Sequence, residues 1–431
     1  MHTGPTSASA LGYLLGVPMA DVSRTFLRLE ASGSTLRGNF TGQAKGSEPE
    51  TTEWCDRRLL ARIHHLTVRT LRKQVEPVTA AQFMHWLLRW QHVARNSQTS
   101  GERGLLEVLR QLQGFEIPAN AWEKQVLRPR VNGYDPAMLD QLCLTGAVGW
   151  GRLSPHPATL EESGSGRRRV VPTSVAPITF FVREDSDWMQ PRHAADAESE
   201  ERVLSETAKL VANFLRQRGA SFFADIVRGT GKLKAEIETA LWELVAAGLV
   251  TADGFENLRS LISPARKSTP GAPKLAKPRH STGRWSLLYA AESPDRNPML
   301  EAMCRMLLAR YGVVFREVLA RESNLPKWRE LLIMFRRLED RGEVRGGRFV
   351  GGFLGEQFAL PEAVESLRAL RNLPATGDTL VLSAADPLNL IGFIVPGERV
   401  PAISGRYVKF RDGVAVDPEE RNALLREAGA Q

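Results

Sequence analysis

The sequence predicts a mainly α protein with α+β repeats in tandem, followed by a small C-terminal β-barrel module. Three observations predict it. A fifteen-residue phrase occurs four times, at 26–40, 139–153, 241–255 and 335–349. A second helical stretch and a Gly-containing turn precede it, most plainly in the first and third copies. The segment 377–416, "GDTLVLSAADPLNLIGFIVPGERVPAISGRYVKFRDGVAV", alternates strand-like runs with Gly and Pro turns, a pattern that suits a small barrel or sandwich. Repetition at this scale fixes the architecture before any single element is assigned.

The four phrases are "FLRLEASGSTLRGNF", "LDQLCLTGAVGWGRL", "LWELVAAGLVTADGF" and "FRRLEDRGEVRGGRF". Their fourth place is Leu29, Leu142, Leu244 or Leu338, and their eighth is Gly33, Gly146, Gly248 or Gly342. Apolar residues at helical spacing make the first half the end of an amphipathic helix. The glycine is its stop, since it takes the left-handed conformation without a Cβ penalty. A β-branched residue then opens a strand, and Gly38, Gly151, Gly254 or Gly347 is expected to turn the chain back at about hairpin distance. Helix, stop and two strands are the back half of a winged helix.

The front half is legible upstream. In "SFFADIVRGTGKLKAEIETALWELV" a helix over 221–228 and the turn Gly229-Thr230-Gly231 lead into the second helix. In "TSASALGYLLGVPMADVSRTFLRLE" the turn is Gly16-Val17-Pro18. Each is a helix-turn-helix with its wing attached. The resulting plan has a winged helix at 1–45, entered almost directly from Met1 without a leading helix, as if the chain began inside a larger ancestor. A helical block plus winged helix covers 54–153, and 154–200 is a linker with one short strand. A winged helix at 201–262 is followed by a basic disordered linker at 263–298, rich in Pro and Lys. The last winged helix spans 299–355, and 356–431 is the β-barrel module with a C-terminal tail.

Across 431 residues the net charge is +8 and the isoelectric point near 9.6, which favours an acidic partner, nucleic acid first. Cys55, Cys143 and Cys304 are too few and too scattered for a disulfide framework or a zinc site. That places the chain in the cytoplasm, associated with the nucleoid. Neither a membrane span nor a signal peptide is evident. "GTGK" at 229–232 lacks the upstream Gly and the Ser/Thr of a phosphate loop and reads as a turn, so this chain alone is not expected to hydrolyse ATP.

Three groups of residues carry candidate chemistry. Arg58, Arg62, His65, Arg69 and Arg72 share one face of the helix 54–73 and could track a phosphate backbone, the alternative being a solvated face. In the fourth phrase Arg341, Arg345 and Arg348 stand where the first has only Arg37, which nominates that wing for phosphate contact. Glu116 and Asp386, carboxylates beside tight turns, are the catalytic candidates, able in principle to orient water during removal of a flipped base. The plainer role for an Asp before Pro is a turn residue accepting backbone hydrogen bonds. Trp86 and Trp90, at i, i+4, fit a core seam better than base stacking, and His85 and His92 lack a third ligand, so no metal is assigned.

Longer phrases, among them "EWCDRRLLARIH", "EPVTAAQFMHWLLRWQHV", "GASFFADIVRGTG", "RGGRFVGGFLGEQFALPEAV" and "SAADPLNLIG", resemble the C-terminal region of the large helicase-related proteins, Lhr, over nearly the whole chain from about residue 5. The resemblance implies an array of winged helices ending in a β-barrel, which in that family follows a superfamily 2 ATP-dependent motor. It implies DNA as partner, single-stranded or at a junction, and a role in DNA repair. ATP and Mg would enter only through a separate motor domain: either the gene is split from its motor, which would favour a helicase subunit in trans, or the sequence is a truncated piece. The region is also similar to AlkZ-type DNA glycosylases, which implies a metal-independent excision of uracil or a damaged base as the alternative function. The Gln-rich triplet of those enzymes corresponds to Glu116-Ile117-Pro118 ahead of Asn120, so two of its positions differ here. Asp386 is the aspartate assigned to that activity.

Overall fold

In all four copies of the phrase the glycine at the eighth place ends a helix in the left-handed region. Its φ is +71° at Gly33, +79° at Gly146, +72° at Gly248 and +77° at Gly342. Only a residue without a Cβ takes that conformation freely. A Cβ built on Gly342 meets nothing within 4 Å. Gly342→Ala is therefore expected to cost only the backbone penalty, about 1 kcal/mol, read as a small fall in thermal midpoint at unchanged helix content.

The structure is a computed structural model. It describes residues 4–41, 52–73, 77–154, 176–189, 204–256, 258–259, 283–288, 295–371, 377–403 and 405–416, the side chains of 68–73 excepted. It divides into two units, Met1–Glu76 and Pro77–Gln431.

In the first unit β1 (Thr6–Ser7) leads into α1 (Ala8–Leu15), α2 (Met19–Ala31) and β2 (Thr35–Gly38), and β3 (Glu53–Asp56) and α3 (Arg57–Lys73) follow. The Ser7 hydroxyl accepts the N–H of Ala10 at 3.1 Å to open α1, and Gly16 at φ +66° closes it. The strands form an antiparallel sheet in the order β1-β3-β2. The core is small: Val22 and Phe26 from α2 meet Trp54 of β3, with the two rings stacked at 5.2 Å.

The second unit holds three more copies of this plan. It begins with α4 (Ala80–Trp90) and β4 (Thr99–Ser100). The second winged helix then comprises α5 (Gly101–Leu112), β5 (Ile117–Pro118), a π-helical turn over Trp122–Leu127, β6 (Val131–Asn132), α6 (Pro136–Leu144), β7 (Val148–Gly151) and β8 (Pro177–Val182). The third comprises α7 (Glu206–Arg218), β9 (Ser221–Phe222), α8 (Phe223–Thr230), α9 (Lys234–Ala246), β10 (Val250–Ala252) and β11 (Arg284–Leu287). The fourth comprises α10 (Arg296–Tyr311), β12 (Val313–Val314), a 3-10 turn over Arg316–Arg321, α11 (Trp328–Asp340), β13 (Arg345–Gly347) and β14 (Gln357–Ala359). Their sheets run β5-β8-β7, β9-β11-β10 and β12-β14-β13. In each, the last strand in sequence lies in the middle, as β3 does in the first unit.

That strand order corrects the expected layout. No copy makes a hairpin at its second glycine. The chain leaves after β2, β7, β10 or β13 and returns only at β3, β8, β11 or β14. The segments expected to be linkers therefore interrupt winged helices rather than separate them. "GQAKGSEPETT" falls between β2 and β3, the stretch 154–176 between β7 and β8, and 263–283 between β10 and β11, so that β11 itself lies inside the expected basic linker 263–298. A wing needs only that its two strands pair, and composition says nothing about how much chain intervenes. Most of these stretches, the basic segment 260–282 and the tail 417–431 lie outside the described residues.

One continuous core runs through the second and third winged helices, from Leu105 and Trp122 to Trp242 and Trp285. Within it the C-terminal half of α9 is buried at every residue from Ala240 to Ala246, with Ile237 before it, while Lys234, Ala235, Glu236 and Thr239 stay exposed. The Arg152 guanidinium donates to the Ala246 carbonyl at 3.1 Å, and Arg259 forks onto both Glu123 and Asp140 at 2.9–3.0 Å. Trp86 and Trp90 stack at 4.9 Å and donate their indole N–H groups inward, to Ser366 and to the Ala309 carbonyl.

After α12 (Pro361–Arg371), the strands β15 (Thr379–Ser383), β16 (Tyr407–Arg411) and β17 (Val414–Ala415) form an antiparallel sheet in sequence order. Among the described residues this sheet stays open, and the expected barrel does not close. Residues 384–403, read as further strands, are instead a series of tight turns. Asn389 donates its side-chain amide to the carbonyls of Ala384 and Val400, and Gly392 and Gly397 take positive φ.

Candidate nucleic-acid interface

The fourth winged helix presents the clearest cationic face. α11 turns Leu331, Met334, Phe335 and Leu338 into the core. Its outward side carries Arg329, Ile333, Arg336 and Arg337, at the spacing of one helix face. Arg336 is committed to Glu356 through two hydrogen bonds of 2.9 and 3.0 Å. Arg329 and Arg337 are exposed and carry no ion pair among the described residues. Ile333, between them, is 47 % exposed.

The three arginines expected on this wing have different fates. Arg341 pairs with Glu301 and Glu343, each at 2.8 Å, and these carboxylates also hold Arg305. Arg345 lies 4.0 Å from Glu365. Arg348 alone is exposed without an ion pair among the described residues. A sequence cannot separate these cases, because the acidic partners Glu301 and Glu365 come from helices outside the phrase.

The other recognition helices differ in kind. α6, "PAMLDQLCL", has no cation, and its one acid, Asp140, is held by Arg259. α9 buries its C-terminal half in the core and leaves Lys234 exposed at its start. In the first unit α2 exposes Arg24 and Arg28, the former 3.7 Å from Asp21. Arg58 and Arg62 on α3 line an open cleft of about 510 Å³ together with Leu11, Phe26, Trp54 and Leu59. Neither carries an ion pair among the described residues. α3 includes the backbone of Arg69 and Arg72, but their side chains lie outside the described residues.

The two candidate carboxylates sit in interior networks of the second unit. Asp386 is 0 % exposed and takes a bidentate fork from Arg130, itself 0 % exposed, at 2.7 and 2.8 Å. Its Oδ1 also accepts the Leu388 N–H at 3.0 Å, and Gln91 receives the other side of the guanidinium at 3.1 Å. Arg321 donates to the Asp386 carbonyl. Both carboxylate oxygens are engaged by Arg130, and the group has no exposed surface. Glu116 is half-buried: Oε1 accepts the N–H groups of Leu153 and Ser154 at 2.7 and 3.0 Å, and Oε2 accepts from Asn324 at a long 3.3 Å. Beside them Arg310, fully buried, donates to Glu322 and to the Gln113 carbonyl, and Tyr311 donates to the same carboxylate at 2.7 Å. Burial raises the Tyr311 hydroxyl well above its ordinary pKa, with the Glu322 charge adding to the shift. Sequence reading singled out Asp386 and Glu116 but missed their partners, because Arg130 lies 256 residues from Asp386 and neither Arg130 nor Arg310 falls in a motif.

The winged-helix domain described for large helicase-related proteins matches residues 78–165 and again residues 293–379. These are Lhr-family winged helices. The Lhr-type region is 32 % identical over 411 residues to "Lhr helicase/ probable uracil glycosylase" of Mycolicibacterium smegmatis, covering 90 % of this chain and 25 % of that protein. It is 30 % identical over 388 residues to "Lhr helicase/uracil glycosylase" of Escherichia coli, covering 81 % of this chain and 24 % of that protein. The chain thus spans about a quarter of the length of the curated relatives it matches. The matched segment 293–379 contains α11 and the wing with Arg348, the cationic face described above.

Among the described residues no group of three or more His, Cys, Asp or Glu is placed to hold a metal ion, and no helix is long and apolar enough to cross a membrane. Burial pushes all three thiols up, that of Cys143 to about 12, so they are poor nucleophiles near neutral pH.

Proposed function

We propose that this chain is the DNA-gripping region of an Lhr-type helicase and acts in DNA repair on single strands and duplex junctions. The fourth winged helix makes the principal hold, with Arg329, Arg337 and Arg348 on phosphates. Arg58 and Arg62 of the first unit make a second contact. The observation that supports this most is the outward face of α11, where Arg329 and Arg337 are exposed and carry no ion pair among the described residues, whereas α6 has no cation and α9 buries its C-terminal half. Two exposed cations on one helix face make a surface for an anion. The ATP-driven step, with its Mg, would be supplied by a superfamily 2 motor outside this chain, in trans if the two are separate polypeptides.

Titration of a labelled forked duplex by fluorescence anisotropy, at increasing salt, tests the reading. The logarithm of the association constant is expected to fall with the logarithm of salt at a slope of about −3 or steeper. An affinity indifferent to salt, or no binding at low salt, would sink it.

The names of the two relatives support a second reading, excision of uracil. In this chain Glu116 is the better-placed carboxylate, because it is only half-buried and its Oε2 has one long contact, whereas both oxygens of Asp386 are committed. If a uracil-containing oligonucleotide yields abasic sites, Glu116→Gln is expected to lower the rate by about two orders of magnitude at unchanged affinity. Full activity of that variant would remove Glu116 from the reaction.

A further inference from the structure

The wing of the fourth winged helix, residues 348–356, is braced from several sides. Phe349 and Val350 donate their N–H groups to the Gln357 side chain at 2.8 Å, and that side chain donates back to the Val350 carbonyl at 2.8 Å. Val78 joins from outside, donating to the Phe349 carbonyl and accepting from Gly351, both at 2.8 Å. Phe353 packs on Phe315 with ring centroids 4.8 Å apart. Arg336 of α11 grips Glu356 through its two-bond fork. Within this frame Leu354 is 83 % exposed, more than any other large apolar residue described in the second unit. Gly352 at φ +90° and Gly355 at φ +96° turn the chain on either side of it.

An exposed leucine alone is ordinary. This one is held out on a supported tip, and the Arg336–Glu356 fork ties that tip to the helix carrying Arg329 and Arg337. When those arginines meet phosphates, the wing is brought against the same stretch of nucleic acid. A charged tip would serve for a further phosphate contact, whereas an apolar one gains only where it can leave water, between bases.

We propose that Leu354 is a wedge, which enters and unstacks the base step where duplex meets single strand while Arg329, Arg337 and Arg348 hold the flanking phosphates. The proposal rests on the DNA-binding reading above. Arg336 is a positioning residue, which fixes the tip relative to α11.

The test uses the full chain and a forked duplex with 2-aminopurine at the junction, alongside anisotropy on the same fork. Saturating protein is expected to raise 2-aminopurine fluorescence about threefold, the signature of unstacking. Leu354→Ala should bind the fork within about threefold of the parent, since phosphate contacts dominate affinity, yet lose most of the rise. Leu354→Phe should retain it, and Arg336→Gln should diminish it with binding kept. A full rise in Leu354→Ala would overturn the wedge, as would saturation of the fork by the parent protein without any rise. Equal loss of binding by Leu354→Ala to fork, blunt duplex and single strand would overturn it too. Failure of the parent protein to bind any DNA would remove the wedge together with the reading beneath it; binding without unstacking removes the wedge alone.

Discussion

Asp386→Asn is expected to destabilise the second unit by about 3–5 kcal/mol, the usual cost of leaving a buried charge without its partner. The substitution keeps the shape of the side chain and removes only its charge. Arg130, sealed from solvent and donating to both Asp386 oxygens, would then face a neutral amide that can accept from only one of its two forks. Water cannot reach the site to compensate. The measurement is thermal unfolding followed by circular dichroism. Pairing Asp386→Leu with Arg130→Met should recover much of the loss, because removing both charges leaves none to be desolvated. A fully stable Asp386→Asn protein would mean that the ion pair contributes nothing. If that stable variant also failed to excise uracil, the aspartate would return as a chemical group.

Neutralising Arg329, Arg337 and Arg348 together, each to Gln, is expected to weaken DNA binding about a hundredfold or more near 0.1 M salt and to flatten the salt slope by about 3. Each is exposed and without an ion pair among the described residues, so the loss should come with an unchanged thermal midpoint. Arg341→Gln is the internal control. Its guanidinium is already occupied by Glu301 and Glu343, so little affinity should be lost. A triple variant that binds as well as the parent would move the interface elsewhere. An Arg341 effect equal to that of Arg348 would show that ion pairing inside the domain does not decide which arginines reach DNA.

The repeated phrase was legible because its letters answer to local physics. A helix stop needs a residue that tolerates positive φ, and all four glycines supply it. The sheet's closing strand was not legible. β3, β8, β11 and β14 share no phrase with one another, and what pairs them with their partners is register across a gap of any length. The site divided in the same way. The basic stripe on α3 follows from helical spacing, and Arg58 and Arg62 do stand on one exposed side. Whether an arginine is spent on a carboxylate depends on partners elsewhere in the chain, so Arg341 and Arg348 look alike on the page and are not alike in space. Asp386 shows the same limit. Asp before Pro proposes a turn, which the Leu388 N–H confirms, but nothing near it announces Arg130.

The late return of each wing strand governs how the molecule can be dissected. Proteolytic fragments and expression boundaries are ordinarily chosen at stretches rich in Gly, Pro and Lys. A cut at 154–176 or 260–282 would strip β8 or β11 from the middle of a sheet, leaving its two neighbours with no strand between them. The same cut would expose Trp150 or Trp285, both buried in the core shared by the second and third winged helices. Those two are inseparable as reagents, whatever their sequences suggest. A boundary between Glu76 and Pro77 severs no sheet, and it is there that the chain can be divided into parts for separate binding assays.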